Sequence, residues 1–214
     1  MRQLLLDFTR APAPTFANFV HGANAEAAHV LEAAARGESR ERVIYLWGEA
    51  GAGKTHLLKA FAAAAGPRHG RYLEAAEFRA IDARGILALD DAGRLPEPVQ
   101  IELFNAFNEQ AFTMLVVSAG AAPRDVPMRR DLATRLATGL TYRVAPLTDP
   151  EKRAALMAHS STRGFALAEE VAAYLLTHSR RDMGSLMAAL DSLDRYSLET
   201  GRPITVPLIK QALA

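Results

Sequence analysis

The residues with the clearest chemical content are Gly48-Glu49-Ala50-Gly51-Ala52-Gly53-Lys54-Thr55, a complete G-x-x-x-x-G-K-[ST] segment. Glycines at this spacing let successive backbone N–H groups converge on phosphate oxygens, and a helix opening at the lysine adds positive potential there. Lys54 would reach the outer phosphates and the Thr55 hydroxyl would ligate Mg²⁺. A second candidate is the acidic pair Asp90-Asp91, which closes the apolar run Ile86 to Leu89. Asp90 would hold Mg²⁺ through water and Asp91 would orient an attacking water. Acidic pairs after apolar strands are common, so this reading leans on the glycine loop. Ser118 closes the next apolar run, Thr113 to Val117. A polar side chain there would lie beside the terminal phosphate or the attacking water, although a serine at that point also serves as a helix or turn cap.

These groups need strands that end in loops and helices that begin from them. Val43-Ile44-Tyr45-Leu46-Trp47 reads as a strand buried on both faces. A helix over 55–65 follows the glycine loop and stops at Gly66-Pro67. Further strands are expected at 71–74, 86–89, 113–117 and 140–144. Helices are expected at 24–36, 96–111 and 130–137, with Ile101, Phe104 and Phe107 on the buried face of the second. Alternating strands and helices imply parallel pairing in a three-layer α/β/α sandwich. From Asp149 the pattern changes to four helical stretches, 149–163, 168–178, 182–199 and 205–213, with no strand between them. The expected organisation is therefore an extended tail at 1–14, held open by Pro12 and Pro14, an α/β unit at 15–147 and a small all-α unit at 148–214.

Composition removes other classes. The chain has 214 residues and 25 Lys+Arg against 24 Asp+Glu, a net charge of +1, without the basic excess that blanketing nucleic acid requires. It contains no cysteine, which excludes disulfide frameworks, thiol nucleophiles and thiolate metal sites. The first apolar run is too short for a signal peptide and no stretch is long enough to span a membrane, so a cytoplasmic protein is expected. Trp47 reads as core, and the histidines show no metal-ligand spacing.

Glycine loop, acidic pair, polar strand end and helical C-terminal unit together resemble the AAA+ ATPases, and within them the DnaA branch. The resemblance runs through Thr15-Phe16-Ala17-Asn18-Phe19-Val20-His21-Gly22-Ala23-Asn24, similar to the family box that walls adenine; Gly48 to Thr55; Ile86 to Asp91; Arg130-Asp131-Leu132-Ala133-Thr134-Arg135-Leu136, similar to the segment that carries an arginine finger; and 149–164 with 181–194 in the lid. It implies the AAA+ fold, a five-stranded parallel sheet followed by a helical lid. It also implies ADP or ATP with Mg²⁺ as ligand, with Phe19, Val20 and Asn24 around the base and His56 counted beside the loop. Arg135 becomes a finger directed at a neighbour's γ-phosphate. Gln3-Leu4-Leu5-Leu6-Asp7-Phe8 resembles the peptide that enters the pocket of the bacterial sliding clamp, the β subunit of DNA polymerase III, with Gln3, Leu4, Leu6 and Phe8 as contacts.

The implied role is regulatory inactivation of the initiator DnaA. The chain would dock on DNA-loaded clamp, reach DNA only through it at the nucleoid or replisome, and promote hydrolysis of DnaA-bound ATP, which prevents re-initiation. A homodimer or larger oligomer is compatible with that role. Two departures shape it. Gly184 stands where the family lid carries an arginine for its own phosphate, so hydrolysis in cis would require Arg180 or Arg181 to substitute for it. The eleven residues from Ala75 to Gly85 are too few for the initiator's insertion that handles single-stranded DNA, and the chain stops without the initiator's helix-turn-helix domain. A self-contained P-loop ATPase or kinase, or a non-hydrolysing adaptor, are the alternatives the residues leave open.

Overall fold

The computed structural model describes residues 13–66, 70–79, 84–180 and 182–213. Two compact units divide at Pro146/Leu147.

The first unit is built on a five-stranded parallel sheet. Its strands are β1 (Val43–Trp47), β2 (Gly70–Glu74), β3 (Gly85–Asp90), β4 (Phe112–Ala119) and β5 (Leu140–Arg143), in the order β2-β3-β4-β1-β5. Helices α1 (Ala25–Ala35), α2 (Lys54–Ala64), α3 (Glu97–Asn108) and α4 (Arg130–Leu136) cover its faces. Alternate residues of β1 explain the three layers. Val43, Tyr45 and Trp47 pack with Leu103, Ala106, Leu132 and Leu136 of α3 and α4. Ile44 and Leu46 pack with Leu31 of α1 and with Leu57, Leu58 and Phe61 of α2. A strand apolar on both faces can be stable only between two helical layers. Each such side chain contributes on the order of 1.5–3 kcal/mol on leaving water.

One expectation for α3 needs correction. Its buried stripe is Gln100, Leu103 and Ala106, and Phe104 and Phe107 pack against the same core partly buried, whereas Ile101 is 40% exposed. Each residue advances the helix by about 100°, so the polar Gln100 takes the inward direction that Ile101 was expected to hold. Trp47 does pack against the core, with the Arg143 guanidinium 5.6 Å from its ring centroid.

The second unit contains α5 (Asp149–Thr162), α6 (Glu169–His178), α7 (Met183–Thr200) and α8 (Val206–Leu213). α5 opens on a complete capping box, in which Thr148 accepts from the Glu151 N–H and the Glu151 carboxylate accepts from the Thr148 N–H. Two free N–H groups at the helix start are thereby satisfied. Leu156, Val171, Leu175, Leu186, Leu190 and Leu193 form its core. At the end of α5, His159 and the C-cap Arg163 close on Asp191 and Asp194 of α7, with His159 Nε2 2.7 Å from Asp191 Oδ1 and Arg163 Nε 2.8 Å from Asp194 Oδ2. Gly184 sits in the first turn of α7, whose N-cap Asp182 accepts from the Ser185 N–H. A Cβ at Gly184 would meet only Asp182 Oδ1, at an ordinary 3.5 Å.

Candidate functional site

The glycine loop leaves β1 at its carboxyl end and enters α2, as a phosphate cradle requires. Gly48, Gly51 and Gly53 have φ of +152°, +80° and +105°. At Gly48 a side chain is disfavoured for a second reason, because its Cβ would lie 2.2 Å from the Val144 carbonyl oxygen and the backbone would have to shift. Lys54 is buried, and its ammonium donates to the carbonyls of Gly48 and Glu49 at 2.7 and 2.9 Å. Burial lowers the Lys54 pKa, opposed by the charges of Asp91 and Asp90. The cation therefore sits within the loop's curve, where an anion would complete its environment. Thr55 is exposed and its hydroxyl has no side-chain partner among the described residues, leaving it open to a cation. These features fit a nucleotide phosphate chain. Among the described residues no three His, Cys, Asp or Glu side chains gather into a metal cage. A Mg²⁺ held by Thr55, phosphate oxygens and water would need none.

The acidic pair and Ser118 meet at the ends of β3 and β4. Asp90 is 5% exposed and Ser118 is fully buried. Ser118 donates its hydroxyl to Asp90 Oδ1, and the Asp91 N–H reaches Ser118 Oγ at 3.0 Å and Asp90 Oδ1 at 3.1 Å. Asp91 has φ +55°, a left-handed conformation that aspartate tolerates, and this turn aims its N–H back at the pair. The Ser118 hydroxyl is thus committed to the Asp90 carboxylate and the Asp91 backbone N–H. Sequence reasoning missed a fourth member. Tyr72 of β2 donates its phenol to Asp90 Oδ2 at 2.9 Å, and burial, then the Asp90 charge, hold that phenol well above the ordinary tyrosine range. The available signal was an aromatic with a polar tip on the strand beside β3.

The expected adenine box lies against the loop. Phe19 is 7% exposed, its ring is tilted 5.3 Å from that of His56, and a Cβ on Gly53 would sit 3.0 Å from Phe19 Cε2. Val20 is partly buried. His56 Nε2 donates to the Thr15 carbonyl at 2.9 Å, since a carbonyl oxygen can only accept, and burial lowers the His56 pKa. Asn24 is 3% exposed, and its amide is spent on the backbone. It donates to the Ala145 carbonyl at 2.9 Å and accepts from the Ala145 N–H at 2.8 Å. It ties the start of α1 to the segment after β5.

Arg135 stands in the last turn of α4. It is exposed and makes no side-chain ion pair or hydrogen bond among the described residues. With Arg42, Val43, Phe107, Gln110 and Phe112 it lines a groove of about 300 Å³. Val43 begins β1 and the glycine loop leaves its far end, so the five residues of β1 separate the two by roughly 13 Å at ~3.3 Å per residue. The start of α4 is held hard. Arg129 pairs with Asp131 at 2.7 Å, keeping that carboxyl below the usual range, and its N–H donates to Gln100 Oε1 at 2.7 Å. Gln100 Nε2 donates in turn to the Leu95 carbonyl at 2.7 Å.

Gln3, Leu4, Leu6, Phe8 and Arg181 lie outside the described residues. Among the described residues no helix is long and apolar enough to cross a membrane.

Two family models match the chain: the Hda lid domain over residues 149–213 and the bacterial DnaA ATPase domain over residues 11–83. An uncharacterized protein of Haemophilus influenzae is 33% identical over 190 residues, covering 81% of this chain and 82% of that protein. Among solved structures, domain III of the Thermotoga maritima replication initiation protein DnaA superposes with a TM-score of 0.72 at 22% identity, covering 96% of each chain. AMPPCP-bound DnaA from Aquifex aeolicus gives 0.69 at 23% identity, covering 89% of this chain and 70% of that one. A RuvB mutant of Thermotoga maritima gives 0.69 at 18% identity, covering 94% and 72%.

Proposed function

The chain belongs to the DnaA-related AAA+ proteins of the Hda kind, and from that premise we propose that it is a regulator which completes the ATPase site of DnaA rather than its own. Its loop and acidic pair hold ADP or ATP with Mg²⁺, Lys54 and the loop N–H groups binding phosphate and Thr55 and Asp90 addressing the cation. Residues Gln3 to Phe8 dock it on the DNA-loaded sliding clamp. Arg135 then enters the phosphate end of the initiator's nucleotide, where a finger guanidinium is worth ~10³ to 10⁵ in rate.

The observation that carries this reading is the position of Arg135. Its guanidinium has no side-chain partner among the described residues, and it stands on a clamped helix at the opposite end of β1 from the chain's own phosphate loop. A cation so placed is useless to its own nucleotide and available to another's. The aliphatic stem needs no partner, while the fixed planar head suits a phosphate oxygen.

The test is hydrolysis of DnaA-bound ATP in a reconstituted mixture with DNA-loaded clamp. Arg135→Ala is expected to abolish the stimulation while clamp binding persists, and Gln3→Ala with Leu6→Ala is expected to abolish clamp binding. Stimulation undiminished in Arg135→Ala removes the finger from the reading.

A further inference from the structure

The carboxylate of Asp90 is more fully engaged than a cation-holding group requires. An ionised carboxylate offers about four acceptor positions, two on each oxygen. Oδ1 receives the Ser118 hydroxyl and the Asp91 N–H, which fills it. Oδ2 receives the Tyr72 phenol. One acceptor position remains. The donors come from β4, from the turn after β3 and from β2, so the carboxylate is fixed from three directions and cannot rotate without breaking a bond to a neighbouring strand. Tyr72 is itself anchored. It lies opposite Ala88 in the β2–β3 register, packs on the α2 side of the sheet, and carries the Lys59 ammonium of α2 4.9 Å from its ring centroid.

We infer that Tyr72 is a positioning residue that weakens the hold of Asp90 on a nucleotide-bound divalent cation. By occupying half of Oδ2 and drawing carboxylate charge into a hydrogen bond, the phenol leaves Asp90 a single contact with the cation's water shell. Nucleotide affinity then rests on the loop and Lys54 more than on the metal. This rests on the reading of the loop and acidic pair as a Mg²⁺-nucleotide site. It adds a member whose effect is to loosen metal coupling, whereas Ser118 and the Asp91 N–H orient the same group from the other side.

The experiment measures the dissociation constant of fluorescent mant-ADP for the full chain, once with Mg²⁺ and once with EDTA. The quantity read is the ratio of the EDTA value to the Mg²⁺ value. Tyr72→Phe removes the hydroxyl and keeps the ring under Lys59, and the ratio is expected to rise about three- to tenfold, the scale of one charge-assisted hydrogen bond released. In an Asp90→Asn background the same substitution is expected to leave the ratio unmoved, since the coupling runs through that carboxylate. Should Tyr72→Phe fail to fold, 3,5-difluorotyrosine at position 72 preserves the packing and strengthens the donor, and the ratio is expected to fall. A merely structural tyrosine would alter both constants equally. A wild-type ratio above one with an unmoved or lowered Tyr72→Phe ratio, or an unmoved or raised difluorotyrosine ratio, overturns the proposal alone. A wild-type ratio of one, or no mant-ADP binding, overturns the underlying site and the proposal with it.

Discussion

Gln100→Met tests whether the setting of Arg135 depends on one buried amide. Gln100 is 6% exposed on α3, and its two ends bridge the Leu95 carbonyl and the Arg129 N–H at 2.7 Å each. Methionine keeps the length and most of the volume but neither hydrogen bond. The Leu95 carbonyl is left buried without this partner, costing about 1–3 kcal/mol, and the Arg129 N–H, which is part-buried, loses about 1 kcal/mol more. Exchange of an amide for a thioether returns on the order of 1 kcal/mol through apolar burial. The net loss is about 2 kcal/mol, roughly a 25-fold drop in the folding equilibrium constant. Urea denaturation followed by circular dichroism measures it directly. The same variant frees the first turn of α4, so stimulation of DnaA-bound ATP hydrolysis is expected to fall with clamp affinity unchanged. A stability change below about 0.5 kcal/mol together with full stimulation would refute the claim that Gln100 fixes this helix.

Two further substitutions address the loop and the adenine box. Gly48→Ala forces a Cβ against the Val144 carbonyl at 2.2 Å from a backbone with φ +152°; it is expected to destabilise the unit by about 1–3 kcal/mol or more and to abolish mant-ADP binding, read by denaturation and fluorescence titration. His56 has a pKa lowered by burial from the ordinary 6.5, so the unfolded chain takes up the proton more readily than the folded one. Stability is therefore fully present above about pH 6.5 and is lost as pH falls through the folded value. The thermal midpoint is expected to decline between pH 7 and pH 5, and the decline to be shallower in His56→Gln.

What could be read from the chain was local. The phosphate loop is a contiguous spacing of glycines, and the strands announce themselves as short apolar runs closed by Gly48, Asp90 and Ser118, because a central parallel strand is buried on both faces. What could not be read depends on which strands and helices become neighbours. Asn24 and Ala145 are 121 positions apart and meet only when β5 joins the edge of the sheet beside β1. Tyr72 finds Asp90 because β2 pairs with β3, a choice of partner that no local pattern encodes. The face of α3 was misread because apolarity was allowed to choose the inward direction. A buried amide with two backbone partners displaced Ile101 from that place, and such partners are invisible before the fold is known.

The separation of Arg135 from the glycine loop gives the base unit a head and a tail. A contact that joins the head of one molecule to the tail of another uses two different surfaces, so it cannot be repeated across a two-fold axis as a self-matching pair. Any stack made this way is directional, like a row of arrows. Its last member always keeps one surface unused, and a stack of unlike members can be ended by whichever member carries only the matching half.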